Sequence, residues 1–143
     1  MPHYHTTDFP LGPVQLARPV GRPRVGIVLR EFQFESPTLG LITVEQGFDT
    51  DYASVPRIFW PIYPPDGDYT DAAVIHDFLY WHQCVPGTDI TGIERHMADR
   101  VFYEAMTALG IPWLRRHLLH KAVRLGGWIA WRKRARELSA HEN

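Results

Sequence analysis

The sequence predicts an α+β fold in which a small antiparallel sheet from the N-terminal half packs against three helices. Between residues 25 and 44, apolar and polar residues alternate, which is the period of half-buried strands. From residue 71 onwards, apolar residues recur at spacings of three and four, which is the period of amphipathic helices. We therefore divide the chain into an extended Pro-rich arm (1–24), a single α+β domain (25–138) and a C-terminal tail (139–143).

Two strands are predicted in the first part of the domain. Val25–Phe34 alternates with a change of phase after Arg30-Glu31, which we attribute to a β-bulge. Glu35–Thr38 has the composition of a turn, and Leu39–Val44 alternates again. These segments together predict an antiparallel hairpin.

Three helices follow the irregular segment 47–65. The central helix is predicted over residues 71–82, and a second one begins at a capping box formed by Thr91 and Glu94 and ends at Gly110. The third is predicted over residues 113–138. Its predicted core face consists of Leu118, Leu119, Ala122, Val123, Leu125, Ile129 and Ala130, with Arg116, His117, His120, Lys121 and Arg124 on the opposite face.

Composition and charge exclude several classes of protein. The net charge of −1 argues against nucleic acid as a partner, and the single Cys84 excludes an intramolecular disulfide framework. The N-terminus has no basic start followed by an apolar run, and no apolar stretch is long enough to span a membrane. We therefore expect no signal peptide and no membrane span.

The central helix carries His76 and Asp77 side by side in the otherwise apolar segment Asp71–Trp81. Helical spacing places both side chains on or beside the buried stripe. An unpaired buried carboxylate is costly, so Asp77 requires a cation, a metal ion or several hydrogen-bond donors.

A divalent metal site is the leading hypothesis for these polar residues. An imidazole combined with two or three carboxylates is typical of a catalytic site in which the metal lowers the pKa of a bound water. The candidate cofactor is one zinc, manganese or magnesium ion. The predicted catalytic residues and metal ligands are Asp51, His76, Asp77 and Asp99.

A purely structural network is the alternative explanation. Asp99 could pair with Arg95 one turn earlier on the same helix, while His76 donates to a backbone carbonyl. Asp77 would then accept hydrogen bonds from loop amides. Such a network would hold the Asp51 loop to the helices without any reaction.

Ser54 provides a weaker hypothesis, in which it is a nucleophile with His76 as its base. Its context, Ala-Ser-Val-Pro, lacks the Gly-x-Ser-x-Gly turn, and side chains that are neighbours on a helix diverge. We therefore assign Ser54 a binding role and not a catalytic one. Arg95 is a second predicted binding residue. Trp128 and Trp131 join them, because two indoles on the polar side of a helix cover a neighbouring element or mark a protein contact.

Three motifs occur in order along the chain. They are Gly-Phe-Asp-Thr-Asp-Tyr-Ala-Ser-Val-Pro at 47–56, Ala-Ala-Val-Ile-His-Asp-Phe-Leu-Tyr at 72–80 and Arg-His-Met-Ala-Asp at 95–99. Their order resembles a small domain-of-unknown-function family found in bacteriophages, prophages and their bacterial hosts, with a likeness over residues 25–131. The family pattern usually has Gly at the position of Tyr52.

The resemblance implies a phage or prophage origin but no biochemical activity. It implies a location in the host cytoplasm or in the phage particle, and other phage proteins as partners of the N-terminal arm and the C-terminal helix. The leading hypothesis is a phage-encoded metal-dependent hydrolase. The alternative is a phage structural or assembly protein, associated with the virion or its tail, in which the His, Asp and Arg residues form a buried network.

Overall fold

A computed structural model of the chain describes residues 16–17, 26–50 and 69–142. Within these ranges, strands precede helices, and the predicted α+β fold is confirmed. The elements are β1 (Leu16–Ala17), β2 (Gly26–Val28), β3 (Phe32–Ser36), β4 (Gly40–Val44), β5 (Asp49–Thr50), α1 (Thr70–His82), α2 (Arg95–Ala108) and α3 (Trp113–Glu142).

The described strands form two small antiparallel sheets. β3 and β4 make the predicted hairpin, with Phe34 opposite Ile42 and both side chains fully buried. The other sheet has the order β1-β2-β5, in which Ile27 of β2 lies between Ala17 and Asp49. β1 therefore adds a short edge strand from within the segment predicted as an arm.

The single bulged strand predicted for Val25–Phe34 is wrong. The chain leaves β2 after Val28 and enters β3 at Phe32, so residues 29–31 connect two different sheets. Leu29 in this connection is 48% exposed. The change in alternation therefore marks the point where the chain passes from one sheet to the other. Each sheet has its own buried side, so the buried positions do not keep one alternation across the connection.

α1 is the central helix of the domain. From Asp71 to Tyr80, every residue except Asp77 is buried. α1 contacts α2, α3 and strands of both sheets, and the ring of Phe78 packs edge-on against Phe48 at 5.3 Å. Any polar side chain of α1 that points into the domain must therefore find its partners on these elements.

α2 begins later than predicted. Its N-cap is Glu94, with no side-chain capping bond, and Thr91 lies in the preceding coil, so the predicted capping box is wrong. The helix ends as predicted before Gly110, whose φ of +75° suits glycine. The hairpin is tied to α2, because Ser36 and Thr38 donate to the Glu104 carboxylate at 2.6 and 2.7 Å.

α3 runs to Glu142, beyond the predicted end at residue 138. Its buried residues are Leu119, Ala122, Val123 and Gly127. Three residues predicted for the core are instead exposed: Leu118 (46%), Leu125 (74%) and Ile129 (61%). Apolar residues occupy both faces of α3, so their spacing alone does not identify the face that packs. No helix in the described ranges is long and apolar enough to cross a membrane.

Candidate functional site

The carboxylate of Asp99 is the centre of a buried polar cluster. Asp99 lies on α2 and is fully buried. Phe102 and Met106, which follow it at helical spacing, are also fully buried, so Asp99 belongs to the apolar stripe of its helix. A carboxylate in such a stripe must be paired.

Among the residues that the structure describes, four side chains bond to Asp99. His76 Nε2 and the Tyr80 hydroxyl, both on α1, lie 2.7 and 2.6 Å from Asp99 Oδ1. Arg124 of α3 donates to Oδ2 at 2.7 Å, and Arg95 of α2 donates to the same oxygen at 3.3 Å. Each carboxylate oxygen therefore accepts two hydrogen bonds, and all three helices meet at this one group.

The pKa shifts of Asp99 and Tyr80 indicate the ionisation states of these two side chains. Burial raises the pKa of Asp99, but the hydrogen bonds from His76, Tyr80 and Arg124, with the charge of His76, outweigh it and lower the pKa to about 2. Burial and the neighbouring Asp99 carboxylate raise the pKa of Tyr80. At neutral pH, Asp99 is therefore an anion that only accepts, and His76 Nε2 and Tyr80 both donate to it.

The described hydrogen bond of His76 is made by one of its two ring nitrogens, Nε2. The imidazole is 1% exposed and packs against the rings of Tyr80 and Phe102, with centroids 4.2 and 4.9 Å away. Among the residues that the structure describes, its Nδ1 atom has no hydrogen-bond partner. The Asp77 Oδ1 atom is 4.0 Å from Nδ1, which is beyond hydrogen-bond distance. In the tautomer that carries its single proton on Nε2, the Nδ1 atom has an unshared electron pair.

Arg95 links α2 to α3 as well as contacting Asp99. Its guanidinium donates to the backbone carbonyls of Val123 and Arg124 at 3.3 and 3.2 Å. The predicted pair of Arg95 and Asp99 is present, whereas His76 bonds the Asp99 carboxylate and not a backbone carbonyl. The cluster is thus built from side chains of three helices.

The two tryptophans predicted as binding residues have different environments. Trp131 lies edge-on to Tyr80 at 5.1 Å, and its carbonyl accepts a hydrogen bond from Gln83 at 2.9 Å. Trp128 is 46% exposed, with the Arg132 guanidinium 5.3 Å from its ring centroid. Trp131 therefore covers α1, and Trp128 faces outward.

The described structure brings together only part of the predicted metal site. His76 and Asp99 are in direct contact, Asp77 lies beside His76, and Asp51 and Ser54 lie outside the described residues. Within the described ranges, no three His, Cys, Asp or Glu side chains are grouped to hold a metal ion. A metal on Asp99 would displace donors that already occupy both oxygens, so these contacts favour an orienting role for Asp99.

Tyr80 and Arg124 are members of the cluster that the sequence did not reveal. Tyr80 lies four residues after His76, a spacing that places the two side chains on one helix face. Gly127 of α3 provides the room, because a Cβ atom at this position would overlap the Tyr80 hydroxyl. Arg124 was predicted on the solvent face of α3, yet it donates to Asp99. The glycine three residues later is the signal of a close approach that could have corrected this prediction.

One comparison with known proteins gives a match. The model of a family described as "Protein of unknown function (DUF1353)" matches residues 27–123, which is more than half of the chain. This range includes His76, Asp77, Arg95 and Asp99. No curated protein and no solved structure matches the chain.

Proposed function

The chain belongs to the DUF1353 family, whose function is unknown, and we propose that it is a small phage- or prophage-encoded hydrolase that uses a divalent metal ion. The observation that carries this proposal is the buried Nδ1 atom of His76, which has no hydrogen-bond partner in the described residues. A location in the host cytoplasm is part of the proposal.

An unsatisfied buried nitrogen is expensive in a purely structural network. Leaving a buried donor or acceptor unpaired costs about 1–3 kcal/mol. A histidine that served only to join α1 and α2 through Asp99 would be more stable with a partner at both nitrogens. The unshared electron pair of Nδ1 instead suits a metal ion or the proton of a reacting group.

Asp99 has the position of a residue that orients this histidine. Histidines that bind metals commonly donate the other ring N–H to a carboxylate, which fixes the tautomer and makes the ligating nitrogen more basic. His76 and Asp99 have this arrangement through Nε2. Arg95, Arg124 and Tyr80 hold the carboxylate in turn, so we assign them positioning roles.

The residues at hand fit part of a divalent site. His76 Nδ1 and the Asp77 carboxylate, 4.0 Å apart, supply an imidazole and an oxygen donor. This mixed set suits zinc or manganese, with magnesium as a further candidate, and Asp51 is the proposed third ligand. When bound, such an ion would lower the pKa of a coordinated water to about 7 and so supply a nucleophile for hydrolysis. The substrate could be a cell-wall or a nucleotide-like compound.

Calorimetric titration of the untagged, metal-free protein with zinc, manganese and magnesium tests the proposal. We expect binding of one ion, and Asp77→Asn should weaken it at least about tenfold. Asp89→Asn is the matched control, because it makes the same exchange at an exposed aspartate in the loop after α1. Unchanged circular dichroism would establish that both variants fold.

Activity is measured on the same proteins with chromogenic phosphodiester, phosphomonoester and carboxylic ester substrates. We expect hydrolysis of one class, lost with a chelator and in Asp77→Asn but kept in Asp89→Asn. A folded protein that binds none of the three ions contradicts the proposal. Hydrolysis that persists in the chelator would instead indicate His76 as a metal-free general base.

A structural or assembly role in the phage particle is the second candidate. It is favoured by the Asp99 carboxylate, which accepts four bonds and joins α1, α2 and α3 as a cross-link would. Here the N-terminal arm and α3 would contact other phage proteins. Mass spectrometry of purified particles tests this role, because a structural protein must be present in them in a fixed ratio to the major components.

A further inference from the structure

The face of α3 that points away from the domain exposes a row of large apolar side chains. We call this row the outer stripe, and its members are Leu114 (62% exposed), Leu118 (46%), Leu125 (74%), Trp128 (46%) and Ile129 (61%). Single exposed apolar residues are ordinary, but several large ones on one face of a helix are typical of an interaction surface.

The spacing of the outer stripe distinguishes a helix partner from a lipid surface. Four members of the outer stripe, together with the exposed Lys121, follow one another in alternating steps of four and three residues, in the order Leu114, Leu118, Lys121, Leu125 and Trp128, with Ile129 beside the last of them. This is the narrow seam along which two helices pack side by side, whereas a lipid-facing helix needs a wide apolar face. Lys121, which is exposed, interrupts the seam near its middle, as polar residues do where they fix the register of paired helices.

The charges around the outer stripe define the kind of partner. Residues 113–136 contain no Asp or Glu, and Lys121, Arg132, Lys133 and Arg136 are exposed on this helix. A second copy of α3 packed in parallel would place Lys121 opposite Lys121 and the basic residues after Trp128 opposite one another, which disfavours pairing. A helix with acidic residues beside its apolar seam would instead be complementary.

We propose that the outer stripe of α3 docks one amphipathic helix of another protein, with Asp or Glu residues flanking its apolar seam. An acidic residue of that helix would lie opposite Lys121, and others would lie opposite the basic residues after Trp128. This surface is separate from the His76 and Asp99 cluster, so it does not depend on the proposed hydrolase activity.

The domain holds α3 firmly in place for such a partner. The Arg134 guanidinium lies 3.5 Å from the ring centroid of Trp81, and its Nε donates to the Trp81 carbonyl at 2.8 Å. Arg124 and Trp131 fix the inner side of α3 through Asp99 and Tyr80. A preformed helix loses little conformational entropy on binding, which favours affinity.

The probe for this proposal is a pair of synthetic heptad peptides with leucine at both seam positions. One peptide has glutamate at the flanking positions, and the other has lysine there. Binding to the full chain is followed by fluorescence anisotropy of the labelled peptide at two salt concentrations. The variants are Leu125→Ser and Ile129→Ser, and the matched control is Leu41→Ser, which replaces a 51% exposed leucine on β4.

We expect the glutamate peptide to bind and the lysine peptide not to bind, with weaker binding at high salt. Leu125→Ser and Ile129→Ser should raise the Kd at least about tenfold, and Leu41→Ser should leave it unchanged. No binding of the glutamate peptide, or equal loss in Leu41→Ser, would overturn the proposal. Dimerisation of the chain through Leu125, or binding to anionic vesicles in place of the peptide, would overturn it as well.

Discussion

The inner and outer faces of α3 differ in what their side chains contact. On the inner face, Arg124 bonds to Asp99, and Gly127 admits the Tyr80 hydroxyl. On the outer face, Leu125 and Ile129 are 74% and 61% exposed. Buried apolar residues (Leu119, Ala122 and Val123) and polar contacts with defined geometry therefore hold α3 to the domain, while other apolar side chains of the same helix are exposed. The difference teaches that hydrophobic residues on this helix do not by themselves indicate the core.

Asp99→Asn should have the largest effect, because it removes the charge on which the inner face depends. The variant removes the carboxylate with which Arg95 and Arg124 pair among the described residues, and removing one partner of a buried ion pair typically costs about 3–5 kcal/mol. We expect the free energy of unfolding in urea to fall by up to this amount, because the Arg95 and Arg124 side chains are 19% and 37% exposed and water can solvate part of the charge left behind.

Glu137→Gln is the control for this variant, because Glu137 pairs with Arg134 near the exposed C-terminal end of α3. An ion pair of that kind is worth up to about 1 kcal/mol. Equal losses in the two variants would contradict the view that the inner face of α3 is held through Asp99.

Acid should remove part of the same stabilisation. The pKa of Asp99 is lowered from 3.8 to about 2 in the folded protein, so the unfolded chain binds the proton more readily. The contribution is present above pH 4 and is lost as the pH falls towards 2, and it amounts to about 2 kcal/mol. Carboxyl carbon shifts in an NMR titration give the pKa directly. A titration midpoint near 3.8 would show that the four donors do not stabilise the anion.

Gly127→Ala should have a smaller effect, because it adds one methyl group between α3 and Tyr80. The new Cβ would overlap the Tyr80 hydroxyl and lie 3.2 Å from two ring carbons, so the ring must move away from Asp99. Overpacking costs about 1–3 kcal/mol, and the higher helix propensity of alanine returns up to about 1 kcal/mol. We expect a net loss of stability in thermal unfolding.

A second substitution makes this prediction specific. In the Tyr80→Phe background the overlapping hydroxyl is absent, so Gly127→Ala should cost less there than in the wild-type protein. Additive effects of the two substitutions would show that the Tyr80 hydroxyl and Gly127 do not interact.

Local patterns in the sequence predicted much of this fold. The β3–β4 hairpin, α1 and the pairing of Arg95 with Asp99 each depend on residues close together in the chain. Alternation or helical spacing is enough to identify such features. His76 and Asp99 are farther apart in sequence, and the sequence groups them only as candidate ligands of one metal ion.

The features that sequence reasoning missed depend on contacts between distant elements. Arg124 was assigned to solvent, because apolar residues on both faces of α3 give no clear inner side. The separation of β2 from β3 depends on which sheet each strand joins, which alternation does not encode. The predicted ligand role of Asp51 stays a prediction, since the residue lies outside the described ranges.

Leu125→Ser should have the smallest effect on stability. Leu125 is 74% exposed, so the folded protein gains little from its burial, and surface substitutions usually change the free energy of unfolding by less than about 0.5 kcal/mol. Leu119→Ser is the matched comparison, because Leu119 lies on the inner face of the same helix and is fully buried. It should lower the free energy of unfolding in urea several times more than Leu125→Ser does. A large loss of stability in Leu125→Ser would mean that the outer face of α3 belongs to the core of the monomer. A negligible loss would show that the stability of the domain does not require Leu125. Binding to a partner would then remain as the explanation for the exposed apolar side chains on that face.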